Sequence, residues 1–267
     1  MASLDGKKAK TARRVIEVLE SFDEQNRQVT VMDIVRRYNR PQSSTSELLA
    51  SLVELGVLYK DPSSRSYTLT PRAAILGSLS QPSMVRDGTL ATLIDRLVAQ
   101  TGLSTALFGM VKLNAQVFRW CAGSKHLANN RGLLANGAQD RPCESAAGWL
   151  LLSTIAPTYC ERAVRRLNAE APVDRKFNYT SMLQRVQESG RRGYAIGQAG
   201  FASTAEMAAV LLPVQPGESP MALGFVYQPN DAIEPMKLVD VLQSAVQRCI
   251  SHPGNRSDIR EVVSNAA

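Results

Sequence analysis

The sequence predicts an α+β chain in two parts. A small helical head closed by a hairpin comes first, then a larger domain of helices and strands around an antiparallel sheet. Three observations predict this. Three early segments carry apolar side chains at helical spacing, and two short alternating runs follow across a turn. From Leu103 onward, strand-like and helix-like runs succeed one another without strict βαβ order, which favours an antiparallel sheet.

The first apolar set is Val15, Ile16, Val18, Leu19 and Phe22. The second is Val31, Met32, Ile34, Val35 and Tyr38, and the third Leu48, Leu49, Leu52, Val53 and Leu55. Each lines one face of a 3.6-residue helix, so three helices can close on one core. Gly56 ends the third, as glycine does just past a helix. Val57 to Lys60, the turn Asp61-Pro62-Ser63-Ser64 and the alternation at Tyr67 and Leu69 then read as a hairpin. Three helices and a hairpin make a winged helix-turn-helix, whose second motif helix enters the DNA major groove.

That helix opens Arg40-Pro41-Gln42-Ser43-Ser44-Thr45-Ser46-Glu47. With Pro41 at the first helical position, Gln42, Ser43 and Ser46 project from the exposed first turns. Glutamine reads adenine, and Ser43, Ser44 and Ser46 suit bases or phosphates. Arg36, Arg37 and Arg40 flank the turn as phosphate clamps, with Lys60 and Arg65 on the wing. Singly, each also fits an ordinary solvated surface. Together they follow the order of helix-turn-helix, wing and basic flanks. Ser44-x-x-Glu47 also fits a capping box, which would start the helix later and remove Gln42 from it.

Net charge is +7, with 12 Lys and Arg against 9 Asp and Glu in residues 1–80, and 19 against 15 in the remainder. The excess favours polyanionic partners and is shared between the two parts. The four cysteines, Cys121, Cys143, Cys160 and Cys249, form no CxxC pair, so a zinc site is not expected. They read as free thiols in a reducing cytosol. No apolar stretch approaches the ~18 residues of a membrane span, and a cytoplasmic protein is expected. The two histidines, His126 and His252, sit in polar surroundings, and GxSxG, HExxH, Walker and GxGxxG motifs are absent. Neither an enzyme nor a cofactor is expected.

The expected organisation is a basic arm at 1–10, a DNA-binding domain at 11–80 and a linker helix at 81–101. A second domain follows at 102–252, then a flexible tail at 253–267. Leu90, Leu93, Ile94, Leu97 and Val98 make the linker amphipathic and a candidate dimer surface. In the second domain, 105–111, 116–121, 194–196, 207–212 and 221–227 read as strands. Segments 144–154, 158–167, 179–192 and 235–250 read as helices.

Residues 12–80 resemble the IclR family of bacterial transcription regulators, most clearly in VTVMDIVRRYNRPQSSTSELLASLVELGVLYKDPSSRSYTLTPRAAILG, Val29 to Gly77. CESAAGWLLLS, SGRRGYAI, and AAVLLPV followed by ALGFVYQP resemble segments of the family's second domain more weakly. The resemblance implies a homodimer or homotetramer, a repressor or activator on a double-stranded operator. It also implies a GAF-like effector domain that binds a small organic or aromatic acid. Carried over by position, Ala146, Ala147 and Gly148 would offer N–H groups at a helix start, an anion site. Ala209, Phe225 and Tyr227 would line the pocket, though Phe225 and Tyr227 equally fit plain core. Glu47 stands where the family often has arginine, and Trp149 where it has lysine. A degenerate effector domain, serving assembly or a protein partner, is the alternative.

Overall fold

The computed structural model describes residues 7–22, 26–78, 88–125, 127, 134–213, 217–229 and 233–251. His126, His252, the expected tail, residues 1–6 of the arm and 81–87 of the linker lie outside the described residues. The chain divides into two compact units, Met1–Gln81 and Pro82–Ala267.

The first unit is built from α1 (Lys7–Leu19), α2 (Val31–Tyr38), α3 (Gln42–Glu54), strands β1 (Leu58–Lys60) and β2 (Tyr67–Leu69), and α4 (Pro71–Ser78). Helix α1 begins inside the segment read as an arm. The core is Val18, Val29, Ile34, Leu49, Leu52, Leu58 and Tyr67, one or more from nearly every element, as the helical spacing requires. Val29 joins the wing as a third short partner, exchanging backbone hydrogen bonds with Tyr67 at 3.1 and 2.8 Å.

The capping box in this unit lies at the start of α2. Thr30 accepts from the Asp33 N–H, and Asp33 accepts from the Thr30 N–H at 2.8 Å. Helix α3 starts at Gln42 with Pro41 as its capping residue and no side-chain cap. The capping box expected at Ser44 does not form. Ser44 Oγ instead donates to the Pro41 carbonyl at 3.3 Å and accepts from Arg14 at 3.0 Å. Helix α4 was not anticipated, although Thr70-Pro71 is a helix-start signal.

The second unit runs α5 (Thr89–Thr101), β3 (Ser104–Val111), β4 (Asn114–Cys121), β5 (Gln139–Asp140), α6 (Ala146–Ser153), α7 (Pro157–Ala169), α8 (Tyr179–Arg192), β6 (Tyr194–Gln198), β7 (Glu206–Leu211), β8 (Met221–Tyr227) and α9 (Pro235–Ser251). The six strands form one antiparallel sheet in the order β5-β4-β3-β8-β7-β6. Side chains alternate between its faces. Ala106, Phe108, Met207, Ala209, Ala222 and Val226 share one core with α6 and with residues of α7 and α8. Leu107, Ala208, Val210, Leu223, Phe225 and Tyr227 share the other with α5 and α9.

Helix α5 corrects the linker reading. Leu90, Leu93, Ile94 and Leu97 are at most 2% exposed and belong to the second unit's own core. These four are consumed by the second unit's own core, and Val98 is half-buried outside it. All four cysteines are free thiols, and burial pushes the Cys143 thiol up to about 12.

Candidate nucleic-acid and effector sites

In the first unit, the sequence-expected DNA residues fall into two groups. Arg36 and Arg37 are exposed in the last turn of α2, with the Arg37 guanidinium 5.6 Å from the Tyr38 ring. Gln42 and Ser43 are exposed in the first turn of α3, and Ser46 is half-buried beside them. Lys60 and Arg65 are exposed on the wing, with Lys60 Nζ 5.7 Å from the Tyr67 ring. The first turn of α3 has neither a side-chain cap nor an acidic residue. Its N–H groups and the positive end of the helix dipole therefore favour an anion such as phosphate.

Arg40 and Ser44 form the second group, and both are tied into the domain. The Arg40 guanidinium grips the Glu17 carboxylate of α1, Nη2 to Oε1 at 2.7 Å and Nε to Oε2 at 3.2 Å. Glu17 is only 12% exposed, so this pair fastens α1 to the α2–α3 turn rather than leaving a free phosphate clamp. Ser44 is held by Arg14, as above. Sequence spacing carried no sign of either contact, because both cross more than 20 positions.

The wing turn is shaped by Asp61. Its Oδ1 accepts from the Ser63 N–H at 2.7 Å and from Ser63 Oγ at 2.6 Å. These bonds hold the Asp61 carboxyl below its ordinary range. Arg65 closes the turn with φ +56°, a left-handed conformation that costs a non-glycine residue roughly 1 kcal/mol. Arg65→Gly is therefore expected to hold or raise the unit's stability by up to about 1 kcal/mol while weakening duplex binding. Denaturant unfolding and a duplex titration of the same variant check this. Loss of both together would assign Arg65 to the fold instead.

In the second unit the expected effector residues do not converge. Ala209 pairs with Gly224 and faces α6, as do Ala222 and Val226. Phe225 and Tyr227 have the opposite parity on β8 and face α5 and α9, on the far side of the sheet. They cannot line one pocket with Ala146, Ala147 and Gly148. Phe225 is fully buried. Burial and the Glu206 carboxylate across the strand pair push the Tyr227 phenol well above its ordinary range.

The start of α6 is also changed from the expectation. Ser145 caps it, accepting from the Gly148 N–H at 3.1 Å. That N–H is not open to a ligand carboxylate, and Ala146 and Ala147 are fully buried. Gly148 has a packing reason instead: a Cβ there would lie 2.1 Å from the Pro142 carbonyl oxygen. Trp149 sits over Gly197, donates Nε1–H to the Cys143 carbonyl at 2.9 Å and carries Arg185 at 4.6 Å. The residues missed at this end of the sheet are Ser145, Asp140 and Phe201. Asp140 Oδ2 accepts from the Phe201 N–H, and the Phe201 ring lies 5.9 Å from Phe108. Ser145 was legible as a polar residue before an apolar run; the other two were not.

Among the described residues no group of three His, Cys, Asp or Glu is placed to hold a metal. None of the described helices is long and apolar enough to cross a membrane.

Residues 11–62 match the model of the IclR helix-turn-helix domain. This segment is similar to IclR helix-turn-helix domains. Solved structures of IclR regulators share the fold along nearly the whole chain. An IclR homolog from Microbacterium hydrocarbonoxydans, complexed with 4-hydroxybenzoate, is 20% identical. The match covers 90% of this chain and 98% of that one, with a TM-score of 0.56. The IclR transcriptional regulator from Alicyclobacillus acidocaldarius is 19% identical over 92% and 96%, with a TM-score of 0.54. The Agobacterium tumefaciens repressor BlcR is 18% identical over 94% and 100%, with a TM-score of 0.51. At these identities the likeness is one of fold. No curated protein matches. The matched segment contains most of α1, all of α2, α3 and β1, and the first turn residues of the wing, so the exposed Arg36 and Arg37 and the open start of α3 lie within it.

Proposed function

We propose that this protein is a cytoplasmic, ligand-responsive transcription regulator of the IclR type, without enzymatic activity. It binds a double-stranded operator through α3 and the wing, as a homodimer or homotetramer. The observation that carries the reading is the uncapped start of α3, within an IclR-like segment that also exposes Arg36, Arg37 and Lys60, with Arg65 exposed just beyond it on the wing. Such an arrangement gives phosphate contacts for position and an exposed helix face for base reading. Selection of the full chain against a random duplex library tests it. Enrichment of a specific sequence is expected, and recovery of an unenriched pool would overturn it.

For the second unit, a small organic or aromatic acid on the α6 face is the proposed ligand. The homolog holding 4-hydroxybenzoate supports aromatic acids as the first class to test. One observation favours the alternative, a sheet unit that no longer senses acids. The α6-facing residues Ala106, Phe108, Met207, Ala209 and Val226 are all apolar, and the Gly148 N–H is already capped. Calorimetry against a panel of aromatic and short aliphatic acids separates the two. Saturable heat for one acid supports sensing. Heat for none, with operator binding intact, supports the alternative.

A further inference from the structure

We propose that Glu47 is a specificity-determining residue that accepts a hydrogen bond from the exocyclic amino group of a cytosine in the operator. The proposal rests on the DNA-binding reading above and deepens it.

Helix α3 buries Thr45, Leu49 and Leu52. The opposite ridge, at helical spacing, is Ser43, Glu47, Ala50 and Glu54, all exposed. Glu47 thus stands on the outward face one turn beyond Ser43, within the N-terminal half that a recognition helix presents to base edges. Its carboxylate has no structural task in the domain. The capping box that would have used it is absent, since Ser44 bonds Pro41 and Arg14 and the helix starts three residues earlier. Among the described residues it makes no ion pair or side-chain hydrogen bond, and α3 contains no lysine or arginine to neutralise it.

An uncompensated carboxylate is unfavourable against phosphate, so its acceptable place on a duplex is over base edges. There the chemistry selects one base. Guanine presents only acceptors in the major groove, and thymine an acceptor and a methyl group. Adenine sets an acceptor beside its amino group, which repels a carboxylate. Cytosine presents a donor alone. The phosphate-facing positive charge is supplied from α2 and the wing by Arg36, Arg37, Lys60 and Arg65, which leaves α3 free to carry an acidic reader.

The test is parallel selection of the full-length protein, E47Q and E47A from one random duplex library, with melting curves of all three. Glu47 is exposed, so the three should melt alike. The wild type should enrich cytosine at one position that E47A leaves unspecified and E47Q shifts toward adenine, the base glutamine reads. Replacing that C·G pair by T·A should weaken the wild type about tenfold, and E47A by less than about twofold. If all three enrich the same sequence, Glu47 reads nothing and this proposal alone fails. If the wild type enriches no sequence, the DNA-binding reading fails and takes this one with it.

Discussion

Phe225→Ser is expected to unfold the second unit rather than reshape a ligand site. Phe225 is fully buried in the core shared with α5 and α9, between Thr105 on β3 and Ala208 on β7. Removing a buried phenyl ring costs about 3–5 kcal/mol, and the serine hydroxyl adds the desolvation of an unpaired polar group. That is a large share of the 5–15 kcal/mol stability typical of a domain. Both tryptophans, Trp120 and Trp149, lie in this unit, so their fluorescence during urea unfolding reports on it alone. A midpoint unchanged from wild type, with weaker binding of an aromatic acid, would return Phe225 to the pocket.

Gly148→Ala is expected to be nearly as damaging, and it separates two roles for one residue. As an N–H donor to an anion, glycine and alanine are equivalent. As a packing residue they are not, because the added methyl would meet Pro142 backbone at 2.1 Å. Backbone cannot swing aside as a long side chain can, so either α6 or the turn before it must move. The cost is about 3 kcal/mol, at the upper end for overpacking a core. Tryptophan-monitored unfolding should show the loss directly, since Trp149 follows in sequence. Wild-type stability in this variant would contradict the packing role.

Much of the first unit is legible in the chain because its signals are local. Apolar side chains at 3.6-residue spacing mark α1 to α3, and the alternation around Asp61-Pro62-Ser63-Ser64 marks the wing. The strand runs from Thr105, Met207 and Met221 and the helix from Tyr179 reappear as β3, β7, β8 and α8 within a residue or two. The illegible parts depend on long-range partners. Arg40 reads as a phosphate clamp from its neighbours in sequence, but Glu17, 23 positions away, holds it. The Leu90 to Val98 stripe looked like a free interface because periodicity marks a buried face without saying what buries it.

The effector set failed for a reason the sequence did contain. Residues on one strand alternate faces, so Phe225 and Tyr227 cannot share a side with Gly224, the partner of Ala209. Positions carried over from a resemblance kept the strand but not the face. The position of Gly148 was informative in the same way: the glycine marks a close approach, here to Pro142, and not an open anion cradle.

On the proposed function, the exposed arginines of α2 position this protein on DNA. The most direct test is the salt dependence of duplex affinity for the full chain and for Arg36→Ala/Arg37→Ala. Log affinity should fall linearly with log salt for the wild type. The double variant should bind more weakly, with a slope lower by roughly 0.9 for each phosphate contact removed, about 1.8 for both. A slope identical to wild type would contradict phosphate contact by Arg36 and Arg37.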